Sequence, residues 1–311
     1  MPMTPIPRIE TSIPTHASSA VNQHRDPITE VTIVNTRISR TGRSVLALFV
    51  VMALFSAACG SDDESDATEE TSALGFDVIT IATGASYPPD QYMLEDGTIV
   101  GWSVDILNEI GNKLGVEIQI ENMDFPGILP AIEAGRFDIG SSSYGVTDER
   151  LLAVDFVTYY TNGQLVAVAT GNPNGVDAAD VCGYRFAVTQ GSLSAITAEG
   201  MNEECESSGS ESIDILEFNN ASDVYLAIDS DRADMTVVNA STLGNLPDGI
   251  EPIGETFQPR KVGFIFHKEN TEVRDAVHLA IGEMIADGTY LAILEEWGIE
   301  AGANTVTEVL P

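Results

Sequence analysis

The sequence predicts an α/β fold of two lobes with a cleft between them, and three observations lead there. From Asp77 onward, short β-branched apolar runs alternate with helical patterns, an order that implies parallel sheets covered by helices. That alternation halts at the turn-rich Gly171-Asn172-Pro173-Asn174-Gly175 and then begins again. The 311 residues are 43% apolar, enough for packed cores in one or two domains. No GxSxG, HExxH or P-loop pattern occurs, so the cleft is where a small ligand would bind.

The elements follow in order. Residues 78–82 form a β-branched strand. Val104, Ile106, Leu107, Ile110 and Leu114 recur at helical spacing, and Gly115 is a good stop. Residues 116–120 make a second strand. Ile128, Leu129, Ile132 and Ala134 form a helix before Gly135, and 137–139 begin a third strand. Residues 164–169 are a further strand. In the second alternation, strands at 186–188, 213–216 and 235–238 separate helices at 192–201 and 221–228. A late strand at 262–266 precedes a helical end, in which Val273, Val277, Ile281, Met284 and Ile285 share a face and 290–297 follow.

Ahead of this region lies a sorting signal. Arg37, Arg40 and Arg43 precede an apolar run at 45–55, too short for a bilayer, which takes roughly 20 residues. Small residues Ser56-Ala57-Ala58 follow, as at a secretory cleavage site. With Cys59 they resemble a bacterial lipobox, whose cysteine is lipidated and becomes the mature N-terminus. Ser56 stands where an aliphatic residue is usual. Segment 1–36 lacks periodicity and is unlike a signal, so translation is expected to start downstream of Met1. Residues 60–72 are small and acidic, and read as a disordered tether.

The chain has 14 basic and 48 acidic residues. Five of the former and three of the latter precede position 59, leaving nine and 45, a net charge of −36. That field repels nucleic acid, phosphates and anionic membrane surfaces, and it serves solubility. Of the three cysteines, Cys59 is assigned to lipid, so Cys182 and Cys205 remain as a pair. In an oxidising compartment they read as a disulfide. A metal site is a poor alternative, because no CxxC occurs and the four histidines lack ligand spacing. No cofactor is expected.

Local patterns across about 77–300 resemble the family 3 periplasmic solute-binding proteins, the polar-amino-acid group. They are Ala85-Ser86-Tyr87-Pro88-Pro89, Asp96-Gly97-Thr98-Ile99-Val100-Gly101-Trp102-Ser103-Val104-Asp105, Ala134-Gly135-Arg136-Phe137-Asp138-Ile139, Thr147-Asp148-Glu149-Arg150 and Asp155-Phe156-Val157-Thr158-Tyr159-Tyr160. Then come Val188-Thr189-Gln190-Gly191-Ser192, Asp231-Arg232-Ala233-Asp234 and Ala286-Asp287-Gly288-Thr289-Tyr290. Each tag alone is weak, but the ordered set is specific. The resemblance implies a type II periplasmic-binding-protein fold, with two lobes joined by two strands. With the leader at 1–58 and the lipidated tether at 59–76 already read from the sorting signal, it places lobe 1 at 77–166 and 258–311, and lobe 2 at 167–257. It implies a monomer that binds an amino-acid-like carboxylate and serves the permease of an ABC importer, held to a membrane by its lipid.

The resemblance also points to site residues. Arg150 matches the arginine that grips the ligand α-carboxylate, and its planar fork suits one. A salt bridge with Asp148 or Asp155 is the plain alternative. Ser142, Ser143 and Gly145 match contact positions, though a serine run can be a simple turn. Ser192 and Leu193 begin a helix whose N–H groups favour an anion, and Ser192 can also be its cap. Tyr87 and Phe125 match aromatics that sandwich the ligand side chain, while Phe125 reads equally as core and Trp102 reads as core. Two positions depart from the pattern. Gly84 and Asn239 stand where ligand-amine-binding aspartates are usual, and Asp90 stands where Phe is usual. Either the ligand nitrogen is not an ordinary α-ammonium, as in opines, betaine-like or cyclic derivatives, or Asp90 has taken over its role.

Two competing functions share the fold. A cyclohexadienyl-dehydratase-like enzyme would need a general acid in the cleft, and Asp90 is the oddly placed acid. A sensor domain would be expected to hand its signal to a transmembrane or kinase segment, and none follows Pro311.

Overall fold

The computed structural model describes residues 75–311. Cys59, the signal and nearly all of the tether therefore lie outside the described residues.

The first lobe opens with β1 (Val78–Thr83). A small antiparallel sheet follows, formed by β2 (Ser86–Tyr87), β3 (Gln91–Met93) and β4 (Ile99–Val100). Next come α1 (Trp102–Leu114), β5 (Glu117–Asn122), α2 (Phe125–Glu133), β6 (Ile139–Gly145) and α3 (Asp148–Ala153). The 16-residue β7 (Val154–Ala169) carries the chain across. The second lobe contains β8 (Arg185–Thr189), α4 (Leu193–Ser208), β9 (Asp214–Phe218), α5 (Ala221–Asp229) and β10 (Met235–Asn239). The 18-residue β11 (Ile250–His267) returns the chain to the first lobe. That lobe ends with α6 (Thr271–Asp287), α7 (Thr289–Glu296) and β12 (Val309–Leu310).

The main sheet runs β5-β1-β6-β11-β7-β10-β8-β9, with β12 on β7. At each end the strands pair in parallel, as β1 does with β5 and β6, and β8 with β9 and β10. In the middle, β7 and β11 pair antiparallel from Ile250 opposite Ala169 to His267 opposite Val154. One half of this ribbon joins β6, and the other half joins β10. The register breaks between Ile253 and Phe257 and again before Arg260, so the two connecting strands are least regular at the crossing.

Separate cores stabilise each end. In the first lobe, α1 buries Trp102, Val104, Ile106, Leu107 and Ile110 against Ile79, Ile81, Phe264 and Phe266. Burying each large side chain contributes about 1.5–3 kcal/mol. Gly115 ends the helix in the left-handed region at φ 67°, where a side chain would add strain. In the second lobe, Val166, Val168, Phe186, Val188, Met235 and Val237 form one face, and Ala187, Val224, Tyr225 and Ile228 the other. Cys182 and Cys205 are bonded within this lobe, tying the approach to β8 onto α4.

Candidate functional site

A cavity with about 710 Å³ of empty space, part of it open to solvent, lies between the lobes. The first lobe supplies Gly84, Ser86, Tyr87, Gln91, Phe125, Ser142, Ser143 and Arg150, and the second supplies the start of α4, the start of α5 and the end of β10. Strand ends and helix starts meet here, as expected of ligand sites on α/β sheets.

Arg150 is held in place by local structure. Thr147 caps α3, its hydroxyl accepting from the Arg150 N–H at 3.2 Å. The side chain runs inward and the residue is only 6% exposed. Its Nη1 donates to the Gly145 carbonyl at 2.7 Å and its Nη2 to the Gly191 carbonyl of the other lobe at 2.8 Å. The guanidinium lies 5.1 Å from the centre of the Tyr144 ring, which stacks on Phe125 at 4.8 Å. Neither Asp148 nor Asp155 pairs with it. Asp155 is taken by Arg274 at 2.5 Å and Lys268 at 3.2 Å. Among the described residues, Arg150 has no carboxylate partner within ion-pair distance. Burial pushes its guanidinium below the usual value, Tyr144 and Glu149 acting against that. An unpaired buried cation of this kind calls for an anion.

The opposite wall presents the N-terminus of α4. Ser192 caps it, its hydroxyl accepting from the Ala195 N–H at 3.1 Å, while Ser192, Leu193 and Ser194 line the cavity. Capping a helix and lining the cavity therefore coexist at Ser192, and a helix start of this kind favours an anion.

Tyr87 belongs to the first lobe but packs into the second-lobe cluster around Tyr225. Its hydroxyl accepts from the Asn239 N–H at 2.9 Å. Burial, then Tyr225 and Asp90, push the Tyr87 phenol well above its usual value. Other bonds also cross the cleft. The Ala221 N–H donates to Ser86 Oγ at 3.3 Å, and Ser241 Oγ donates to Asp90 Oδ1 at 2.9 Å. These bonds bridge the two lobes.

Of the expected contact residues, Tyr87, Phe125, Ser142, Ser143, Arg150, Ser192, Leu193 and Asn239 share the cavity wall. Asp90 and Gly145 do not. Asp90 is fully buried behind Gln91 and Ser143, with its carboxylate engaged by protein donors. Gly145 faces Leu193, whose Cδ2 is 2.9 Å from where a Cβ would stand, and its carbonyl serves Arg150. Gln91, Tyr225 and Thr236 also line the cavity without having stood out in the sequence, and Thr189 lines it too, having been named only as part of the pattern Val188 to Ser192. Tyr225 falls in the helix expected at 221–228, where an aromatic among apolar neighbours reads as core. Among the described residues, no group of His, Cys, Asp or Glu is arranged to hold a metal ion.

Residues 79–300 match the family described as bacterial extracellular solute-binding proteins, family 3. An arginine-binding protein of Corynebacterium glutamicum is 29% identical over 72% of this chain and 75% of its own length. An L-cystine-binding protein of Bacillus subtilis is 27% identical over 82% of this chain and 97% of its own. Among solved structures, an ancestral arginine-binding protein bound to arginine superposes with TM-score 0.63 at 30% identity, over 71% of this chain and 98% of that one. An ancestral amino acid-binding protein described as a precursor of cyclohexadienyl dehydratase gives TM-score 0.63 at 25% identity, over 71% and 95%. The substrate-binding protein of an amino acid ABC transporter gives 0.62 at 28% identity, over 71% and 99%.

Proposed function

The chain belongs to the bacterial extracellular solute-binding proteins, family 3, and from that premise we propose that it captures an amino acid or a related carboxylate between its lobes and delivers it to the permease of an ABC importer. The observation that carries this reading is Arg150, a buried guanidinium on a cavity wall with no acidic partner among the described residues. A ligand carboxylate would take its free donors, aided by the start of α4. Ser142, Ser143 and Asn239 would contact the polar end. Tyr87, Phe125 and Tyr225 would enclose the side chain, which places much of the binding energy on aromatic surface.

In this reading, residues 77–166 with 258–311 form one lobe and 167–257 the other. A ligand that contacts both stabilises the closed form over the open one. Lipid on Cys59, followed by the acidic tether, would keep the monomer outside the cytoplasm at a membrane surface. Two or more acyl chains, at ~0.8 kcal/mol per buried CH₂, suffice for stable anchoring. Cys59→Ser should release soluble protein.

Binding rather than catalysis is favoured because the wall carries no carboxylic acid or histidine and its tyrosines Tyr87 and Tyr225 are held neutral by burial. Arg150 is its one charged side chain, and Asp90 lies behind the wall. The test is native mass spectrometry of protein purified with its endogenous ligand, followed by a thermal-shift screen of the standard amino acids and their N-modified analogues. A retained small carboxylate and a clear shift with one compound are expected. Turnover of prephenate or arogenate, without stabilisation by any amino acid, would replace this reading with the dehydratase one.

A further inference from the structure

An amino acid brings a cation as well as a carboxylate, yet no carboxylate stands on the cavity wall. One stands immediately behind it. Asp90 is fully buried and forms no ion pair among the described residues. Three donors converge on it: Trp102 Nε1 at 2.7 Å, Ser143 Oγ at 2.5 Å and Ser241 Oγ at 2.9 Å. A set made only of donors suits an ionised carboxylate.

The backbone reinforces that choice. The Ser103 N–H and hydroxyl both donate to the Asp90 carbonyl, which places residue 90 at the positive end of the 13-residue α1. Gly101 permits the approach. It has φ 137°, and a Cβ there would meet the Asp90 carbonyl oxygen at 2.3 Å. The aspartate is therefore built into the wall's support.

Ser143 is the link to the cavity. A serine hydroxyl has one proton; of the two acceptors in reach, Asp90 Oδ2 at 2.5 Å is far nearer than Gln91 Oε1 at 3.4 Å, so the proton goes to Asp90. Its oxygen can then meet a ligand only as an acceptor. Resting on the reading of the cavity as a carboxylate-ligand site, we propose that Asp90 is a positioning residue that makes the cavity select α-ammonium carboxylates: it holds Ser143 as an acceptor and supplies, one hydroxyl behind the wall, the countercharge for the ligand ammonium. The cavity is thereby flanked by a buried cation, Arg150, and a buried anion, Asp90, each without an ionic partner among the described residues. Gly84 and Asn239 need carry no charge.

The titratable groups coupled to Asp90 are Tyr87, Tyr159, Tyr160 and Tyr225. All are phenols raised mainly by burial, so they stay neutral across the physiological range; burial also raises the Asp90 carboxyl, while its bonds from Ser143, Trp102 and Ser241 pull it down.

The test compares two probes: the standard L-amino acid that stabilises the protein most, and the 2-hydroxy acid with the same side chain. The wild type should prefer the amino acid by about 100-fold, the scale of a charge-assisted contact. Asp90→Asn would put an amide N–H against Ser143 Oγ and turn its hydroxyl proton toward the cavity. The amino-acid affinity should then fall about 10- to 100-fold, while the hydroxy acid stays near its wild-type value. Equal loss for both probes would reduce Asp90 to a structural role and overturn the proposal, as would a wild type that binds both equally. A ligand-free measurement stands beside this. The indole ¹⁵N–H resonance of Trp102, read in a Trp297→Phe background, reports the charge of its acceptor. It should titrate below neutrality and cease to titrate in Asp90→Asn. An Asp90 still protonated at neutral pH would overturn the proposal by itself. If no carboxylate of any kind shifts the wild type, the reading of Arg150 has failed instead, and the indole resonance still decides whether Asp90 is charged.

Discussion

Replacing Arg150 with alanine should abolish ligand binding while leaving the unliganded fold nearly as stable. The guanidinium has five N–H donors. Two are spent on the Gly145 and Gly191 carbonyls, so three remain, enough for a bidentate grip on a carboxylate. Each charge-assisted bond is worth about 1.5–3 kcal/mol, so losing two gives about 3–6 kcal/mol, on the order of 10²- to 10⁴-fold in affinity. The unliganded protein loses two bonds to carbonyls but is relieved of an unpaired charge only 6% exposed, and these effects oppose one another. Arg150→Lys should recover little, because an ammonium keeps the charge without the fork. Isothermal titration with the best ligand from the thermal-shift screen, alongside thermal unfolding without ligand, measures both quantities. Affinity within about threefold of the wild type, less than 1 kcal/mol, would remove Arg150 from the site. A large loss of unliganded stability with binding retained would make it a structural group.

Other substitutions follow from the same geometry. Cys182→Ser with Cys205→Ser opens a link of sequence separation 23, and chemical denaturation should show about 3 kcal/mol less stability. Gly145→Ala places a methyl 2.9 Å from Leu193 Cδ2 across the cleft; affinity should fall by the lower end of overpacking costs, ~1 kcal/mol, with the melting temperature unchanged. Burial raises the Asp90 carboxyl from 3.8 in the folded state, so its contribution to stability is present below that value and is lost as pH rises through the folded-state value. Asp90→Asn should flatten that decline in a pH series of unfolding curves. The net charge of −36 over residues 59–311 should make the melting temperature climb as NaCl is added, and a flat response would mean the acids are already well separated or paired.

Much of the fold was legible because its elements carry strong periodic signals. The α1 stripe and its Gly115 stop led directly to the observed helix. Arg150 stood out because cations are scarce, and the sequence around it already had the form of a helix start. The undetected parts lack such signals. Strands of two or three residues, as in the small sheet that presents Tyr87, hold too little alternation to be seen. The first ten residues of β11 contain Pro252, Gly254 and Pro259 with repeated register breaks, and its partner strand rather than its own composition keeps it extended. The second half of α4 runs through Asn202 to Ser208, polar enough to read as loop. Asp90 failed differently. Its type and oddity were visible, but its place behind the cavity wall depends on Gly101 letting the chain settle onto the start of α1, a tertiary fact.

The two unpaired charges also account for why the lobes should move. Arg150 is 6% exposed and Asp90 fully buried, neither with an ionic partner among the described residues, and a charge buried that way loses hydration without compensation. Without ligand, that expense opposes the bonds which close the cleft, such as Ser241 to Asp90 and Asn239 to Tyr87. An open form that let water reach either group would relieve that cost and so compete. A zwitterion reverses the balance by bringing a carboxylate to Arg150 and an ammonium to the Ser143–Asp90 pair at once. A ligand with one charge relieves one side only, and a ligand shifts an equilibrium no further than its differential affinity for the two states. Partial closure by a 2-hydroxy acid and full closure by the matching amino acid should therefore be visible as two radii of gyration in small-angle scattering at saturation. Equal radii for the two would mean that closure responds to the carboxylate alone, and that Asp90 tunes affinity without driving the motion.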